Sequence, residues 1–358
     1  MEEKTGQVQA LKPKPFGYIK RSWMLYLMLL LPLIFFGVFR YIPMTNIVIA
    51  FKNYNLFDGV WAKGAPVCQG LENGIHFEDC KYLETDDGYL YTHYCHSGEG
   101  GMHEQACSHW VGFDWFEETF GRKDFWYALR NTLMLNLLDL LFGFPMPIIL
   151  ALLLNELVFR KFKRVTQTII YLPHFLSWII VSSISTRLLA PTNGIVNVFL
   201  MESFGAKPID FLMNSANWVG TYITFGVWKE MGWGTIIYLA AITSINPELY
   251  EAAEVDGAGR WRKLWHITLP GIRATIVVLL IMNIGRILGS EFDRPFTMAN
   301  RVVMDVADVL STLVYRVGIR SFQFSLTAAI GLFQSIVCVV FLIAANTMAK
   351  KFGERGIW

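Results

Sequence analysis

The 358-residue chain lacks the short motifs that carry the commoner enzyme chemistries. It contains no G-x-x-x-x-G-K-[ST], so it has no loop of that kind to cradle nucleotide phosphates. H-E-x-x-H is absent, no nucleophile–base motif is present, and no C-x-x-C pair occurs. Charge is scarce, at 17% of residues, and the formal net charge of +2 gives no electrostatic case for nucleic acid. What fills the chain instead is apolar: 54% of residues are hydrophobic and the mean hydropathy is +0.38. That excludes an ordinary soluble domain and indicates a polytopic membrane protein. The 12 Trp, 14 Tyr and 27 Phe cluster near the ends of the apolar runs, as interfacial belts require.

Six runs are long enough to span a bilayer: 23–39 with a continuation towards 50, then 131–154, 165–189, 218–243, 273–290 and 325–349. Lys12, Lys14, Lys20 and Arg21 precede the first run, but no small-residue cleavage site follows, so it reads as an uncleaved span. With the N-terminus inside, sixteen Lys and Arg fall in short inner segments and ten in the longer outer segments 52–128, 190–217 and 291–324. This asymmetry places both termini and residues 246–271 in the cytoplasm. The resulting division is an inner tail over 1–22, a first helix over 23–51, an outer insertion over 52–128, a membrane core over 129–349 and an inner tail over 350–358.

Residues 251–270, EAAEVDGAGRWRKLWHITLP, are too charged to lie in lipid although apolar runs flank them. Pro247 starts a helix there, and Leu249, Ala252 and Ala253 give it a small apolar face. Gly257 permits a sharp bend, and Pro270 is expected to end a second short helix. Such a bent pair suits a groove on a soluble partner. The stretch resembles the EAA motif of binding-protein-dependent ABC importer permeases: Glu251, Ala252, Ala253, Gly257, Ile267, Leu269 and Pro270 fill every fixed position of Glu-Ala-Ala, three residues, Gly, nine residues, Ile-x-Leu-Pro. In that family the loop, here including Asp256, couples the permease to its ATPase.

The resemblance extends over most of the chain outside 58–120. RYIPMTNIVIAFKNYN, YLPHFLSWII and the terminal GERGIW are similar to carbohydrate-uptake permeases associated with oligosaccharide or polysaccharide-fragment import in Gram-positive bacteria. It implies an all-α, six-helix type I importer fold working by alternating access. It also implies a second homologous permease, two cytoplasmic ATPases carrying ATP and Mg, an extracellular solute-binding lipoprotein and a carbohydrate substrate. No cofactor is implied on this chain itself. An ABC permease for amino acids, peptides or ions would share the EAA loop; a secondary transporter or receptor would not need it.

Residues 52–124 hold thirteen Asp and Glu against five Lys and Arg, with Cys68, Cys80, Cys95 and Cys107 and five of the seven histidines. Too small and glycine-rich to fill a core, this insertion is expected to be stapled. Four cysteines outside the cell suggest two disulfides of undetermined connectivity. Cys95-His96 and Cys107-x-His109 leave a metal site, with zinc as one candidate, as the alternative.

The membrane core carries its own polar residues. Lys229 and Glu230 fall near the middle of the fourth run, beside Trp228 and Trp233, so they should face protein or a watery path. Indole faces suit sugar rings, and Lys and Glu suit hydroxyls; pairing with a partner subunit explains the same residues. Asn283 and Arg286 share a face three residues apart, with Arg286 able to snorkel outward. Asp139 is expected to make a helix-packing hydrogen bond, Glu291, Asp293 and Arg294 to lie at the outer mouth, Pro145 and Pro147 to kink the second span, and 194–204 to form an amphipathic helix.

Overall fold

The apolar runs fold as helices, and prolines shape three of them in the same way. Pro43, Pro145 and Pro270 each follow a π-helical turn, over Gly37–Tyr41, Asp139–Gly143 and Leu264–Thr268. A proline has no N–H to give, so the ladder must be rearranged where it enters. In each case the residue just before the proline donates five residues back: Ile42 to Gly37 O, Phe144 to Asp139 O and Leu269 to Leu264 O. One expectation changes accordingly. Pro270 does not end a helix but lies inside a continuous Arg260–Ile284 run. The Pro145 and Pro147 pair lies within a continuous Lys123–Asn155 helix, directly after a π turn.

The computed structural model describes residues 23–54, 94–97, 101–104, 109–289, 291–354 and 356–358. It divides into the units Met1–Trp110 and Val111–Trp358. In the first unit, α1 (Trp23–Phe36) continues helically to Phe51 with its apolar side chains exposed. Strand β1 (Lys52–Asn53) pairs antiparallel with β4 (His109–Trp110), and β2 (Tyr94–Ser97) pairs with β3 (Gly101–Glu104). The fold is therefore helical with two short ladders in the insertion.

The second unit comprises α2 (Asp114–Gly121), α3 (Lys123–Leu138), α4 (Pro145–Asn155), α5 (Arg160–Tyr171), α6 (Trp178–Leu188), α7 (Ile195–Phe204) and the 29-residue α8 (Ser215–Thr243). There follow α9 (Pro247–Val255), α10 (Arg260–Lys263), α11 (Leu269–Ile284), α12 (Asp293–Met298), α13 (Met304–Ala307), α14 (Leu310–Val314) and α15 (Phe324–Lys351). Among the described residues, four helices are long and apolar enough to cross a membrane, or five if α5 and α6 form one span. The single span expected over 165–189 is broken, with α5 and α6 meeting at 101°. Pro173 lies in the 3-10 turn Leu172–Phe175 between them, and the Ser177 side chain then caps α6.

Helix α8 is long enough to cross but less apolar than the others. It is shielded by its neighbours, with Trp218, Tyr222, Tyr238, Leu239 and Ile242 buried along it. Gly232 lets it cross α5 closely: a Cβ there would lie 2.1 Å from the Ile170 carbonyl oxygen. The segment 291–324 is not an open loop. Val303, Leu310, Leu313 and Val317 are buried, the last three beside Phe125, Leu288, Leu326 and Ile330. Helix α7 forms where expected, with Ile195, Phe199 and Phe204 exposed as well as Glu202, and with its polar Asn197 buried. Asn197 is held by Ile209 and by the carbonyls of Leu189 and Ala190. At the chain's end, Ile357 N–H donates to Asn346 Oδ1 at 2.7 Å and Glu354 pairs with Arg273 of α11.

Candidate functional site

Midway along α8, a cavity of about 520 Å³ opens between α3, α4, α8, α11 and the start of α12. Glu230 and Trp233 line it from α8, Asn283 and Arg286 from α11 and the turn after it. Four of the six residues singled out from sequence therefore meet in one space. Lys229 is buried behind the wall, donating to Glu230 Oε1 at 2.8 Å and to the His174 carbonyl at 3.0 Å, with its ammonium 5.0 Å from the Trp178 ring centre. Trp228 does not line the cavity; it packs against the buried cluster around Trp218 and Tyr222.

The break between α5 and α6 supplies a residue the sequence reading passed over. His174 Nδ1 is 2.8 Å from Glu230 Oε2, and its ring stacks on Trp233 at 4.6 Å with the planes 5° apart. Glu230 is thus held from both sides, and Trp233 is fixed as a flat wall. Two further differences concern Asp139 and Arg294. Arg294, expected at the outer mouth, is buried, 7% exposed, and forks onto Asp139 with bonds of 2.7 and 3.1 Å. Asp139, half-buried on the cavity wall, accordingly makes an ion pair with a buried arginine rather than a plain packing hydrogen bond. Arg294 also donates to the Tyr222 carbonyl at 2.7 Å and lies 3.7 Å over the Tyr222 ring. Gly226 makes room for this: a Cβ there would fall 2.1 Å from Arg294 Nη2. Glu291 lines the cavity and accepts from the Trp178 indole at 3.1 Å. A bond across 155 residues leaves no local signature.

At its far end α8 leads through Asn246 into α9. The Asn246 side chain accepts from Glu248 N–H at 3.1 Å and so caps the helix. Gly257 has φ +74°, Ala258 N–H donates to Ala253 O and Gly257 N–H to Glu254 O, which together form a Schellman stop. Glu251, Ala252 and Asp256 are exposed and Ala253 is half-buried. Leu249, Val255, Trp261 and Trp265 add exposed apolar surface to this tip. Ile267 and Leu269 are half-buried, Pro270 is exposed, and Thr268 between them bonds the Tyr250 hydroxyl at 3.0 Å, tying the second arm to the first. Of the four cysteines in the insertion, Cys68, Cys80 and Cys107 lie outside the described residues, while Cys95 lies on β2 in register with His103 on β3.

The sequence pattern of the family described as "Binding-protein-dependent transport system inner membrane component" matches residues 143–353. Protein LplB of Bacillus subtilis is 41% identical over 341 residues, covering 95% of this chain and 92% of that protein. The polygalacturonan/rhamnogalacturonan transport system permease protein YteP of the same organism is 41% identical over 334 residues, covering 93% and 90%. A chain of a bacterial alginate ABC transporter, solved with an alginate pentasaccharide-bound periplasmic protein, superposes with a TM-score of 0.75 at 35% identity, covering 96% of this chain and 100% of that one. A second structure of a bacterial ABC transporter, one importing the acidic polysaccharide alginate, gives a TM-score of 0.73 at 36% identity, covering 94% and 98%.

Proposed function

The chain belongs to the family of binding-protein-dependent transport system inner membrane components, and on that premise we propose that it is the permease subunit of an ATP-driven importer of oligosaccharides. One observation carries the reading most directly. A single helix, α8, lines the central cavity with Glu230 and Trp233 and leads at its other end into the tip bearing the complete Glu-Ala-Ala…Gly pattern. The cavity offers what a sugar needs, a flat indole beside fixed hydrogen-bonding groups. The tip offers what a coupling element needs, an exposed small-residue and apolar face on a rigidly stopped helix.

In this reading α8 is the fourth span, covered by its neighbours, and the bent α5–α6 pair is the third. Both termini and the α9–α10 tip lie in the cytoplasm. There two ATPase subunits hold ATP and Mg and close against Glu251, Ala252, Ala253, Asp256 and Gly257. A second, homologous permease completes the path, and a binding protein delivers sugar from outside. The relatives' names point to oligosaccharides or fragments of polysaccharides rather than single sugars. ATP-driven closure opens the cavity outward, and reset releases the sugar inward.

The test is reconstitution of the complete transporter in nanodiscs. ATP hydrolysis should rise when the binding protein is loaded with an oligosaccharide and not when amino acids or peptides are supplied. Stimulation by amino acids or peptides instead would replace the carbohydrate reading with the other importer class.

A further inference from the structure

A second, smaller pocket of about 230 Å³ lies at the other end of α8 from the coupling tip. Asn300 fixes that position, since its side chain donates to the Leu212 carbonyl just before α8 begins. Its walls carry three cations, Arg301, Arg316 and Arg320, against one anion, Asp308. Asp308 is already spent: Oδ2 accepts from Arg316 at 2.7 Å and Oδ1 from the Thr312 hydroxyl at 2.8 Å. Arg301 and Arg320 have no acidic partner within ion-pair distance among the described residues. Arg320 instead lies 5.4 Å over the Tyr315 ring, and Tyr315 packs against the stacked Phe292 and Phe296 rings, with ring centres 5.0 and 5.3 Å away. The result is a rigid aromatic bed beside two unneutralised guanidinium forks. Guanidinium matches a carboxylate in shape as well as charge.

The central cavity repeats the imbalance. Asp139 is paired with Arg294, Glu230 with Lys229 and His174, and Glu291 accepts from Trp178. Among the described residues, Arg286 is left as a cavity-lining cation with no acid in reach.

We propose that the outer pocket is a subsite for the carboxylate of an acidic oligosaccharide, one bearing uronic-acid residues, which Arg286 then meets in the cavity. The proposal rests on the carbohydrate reading above and narrows its substrate class. The pocket is smaller than the roughly 300–1,000 Å³ of sites that enclose a drug-sized ligand, which fits one sugar unit of a longer chain. Tyr315 and Phe296 present rings to the pyranose, while Arg301 and Arg320 take the carboxylate.

The experiment uses the complete reconstituted transporter and three probes of equal length: a trigalacturonate, the same chain with its carboxylates methyl-esterified, and a neutral trisaccharide. Uptake and sugar-stimulated ATP hydrolysis are measured for the natural chain, for Arg301→Gln with Arg320→Gln, and for the matching pair of Lys substitutions. Both arginines are exposed, so the variants are expected to assemble. The natural transporter should import the acidic chain and neither of the others. The Gln pair should lose about tenfold or more of that uptake, the scale of a hydrogen bond to a charged group, and the Lys pair should keep part of it. Equal import of acidic and neutral probes would overturn the proposal and leave carbohydrate import standing. Unchanged uptake of the acidic probe by the Gln pair would overturn it too. So would a Gln-pair defect that weakens binding-protein association whatever the sugar, since the cations would then serve docking. Failure of every sugar, with stimulation by another solute class, would remove the carbohydrate reading itself.

Discussion

Asp139→Asn should cost this protein far more than one surface charge would. Asp139 supplies the carboxylate for Arg294, which is 7% exposed and donates two of its three hydrogen bonds to that one acid. The amide removes the negative charge and leaves the guanidinium among Trp178, Tyr222 and Gly226. Stranding one member of a buried pair costs about 3–5 kcal/mol, a shift in the folded population of roughly a hundredfold to a few thousandfold. The loss should appear as a lower temperature of aggregation in detergent and a lower yield of assembled complex. Gly226→Ala reaches the same pair by another route, because its methyl would occupy the guanidinium's place, 2.1 Å from Nη2. Acting on one network, the two changes should be strongly non-additive. Asp139→Leu combined with Arg294→Met should recover most of the stability, since an apolar pair in place of a buried ion pair is often neutral. If Asp139→Asn melts with the natural protein, or the double apolar variant is no better than the single one, the pair does not hold this region together.

Gly232→Ala should be poorly tolerated because the obstacle is the Ile170 carbonyl, a backbone atom that cannot swing aside; a normal yield and melting temperature would count against the close α5–α8 crossing. Replacing Gly257, at φ +74°, with Val should weaken retention of the ATPase subunits by strain of about 1–2 kcal/mol; undiminished co-purification and uptake would remove the docking role. Trp233→Ala and Glu230→Gln should each reduce uptake several-fold in complexes that still assemble, whereas Trp228→Ala should act on stability instead; equal effects of all three on uptake would dissolve the distinction between cavity wall and packing.

Much of this could be read from the chain. The tip over 246–271 was legible because Pro247, Gly257 and periodic small residues are local signals, and the structure turns them into a Schellman-stopped helix, with Asn246 as a cap not foreseen from the sequence. The apolar runs were legible for the same reason. Pro270 misled because a proline announces a missing hydrogen bond without saying whether the chain stops or widens into a π turn. The break at Pro173 carried a sequence signal, the proline itself, that the length of the surrounding run outweighed. Lys229 and Glu230 declared themselves by charge, but which of them faces the cavity depended on His174, 56 residues from Glu230. The Asp139–Arg294 pair joins positions too distant for any pattern to connect.

The glycines of α8 have a consequence for anyone seeking a sturdier version of this protein. Replacing a helical glycine with alanine is a standard route to thermostability, worth about 0.5–1 kcal/mol. On this helix the sign of that exchange depends on the position. At Gly220 an added methyl meets nothing within 4 Å, and the usual gain should be collected. At Gly226 it would evict a guanidinium and at Gly232 it would strike a neighbouring backbone. A consensus-driven or propensity-driven redesign that treats Gly220, Gly226 and Gly232 alike would undo at two positions what it gained at the first.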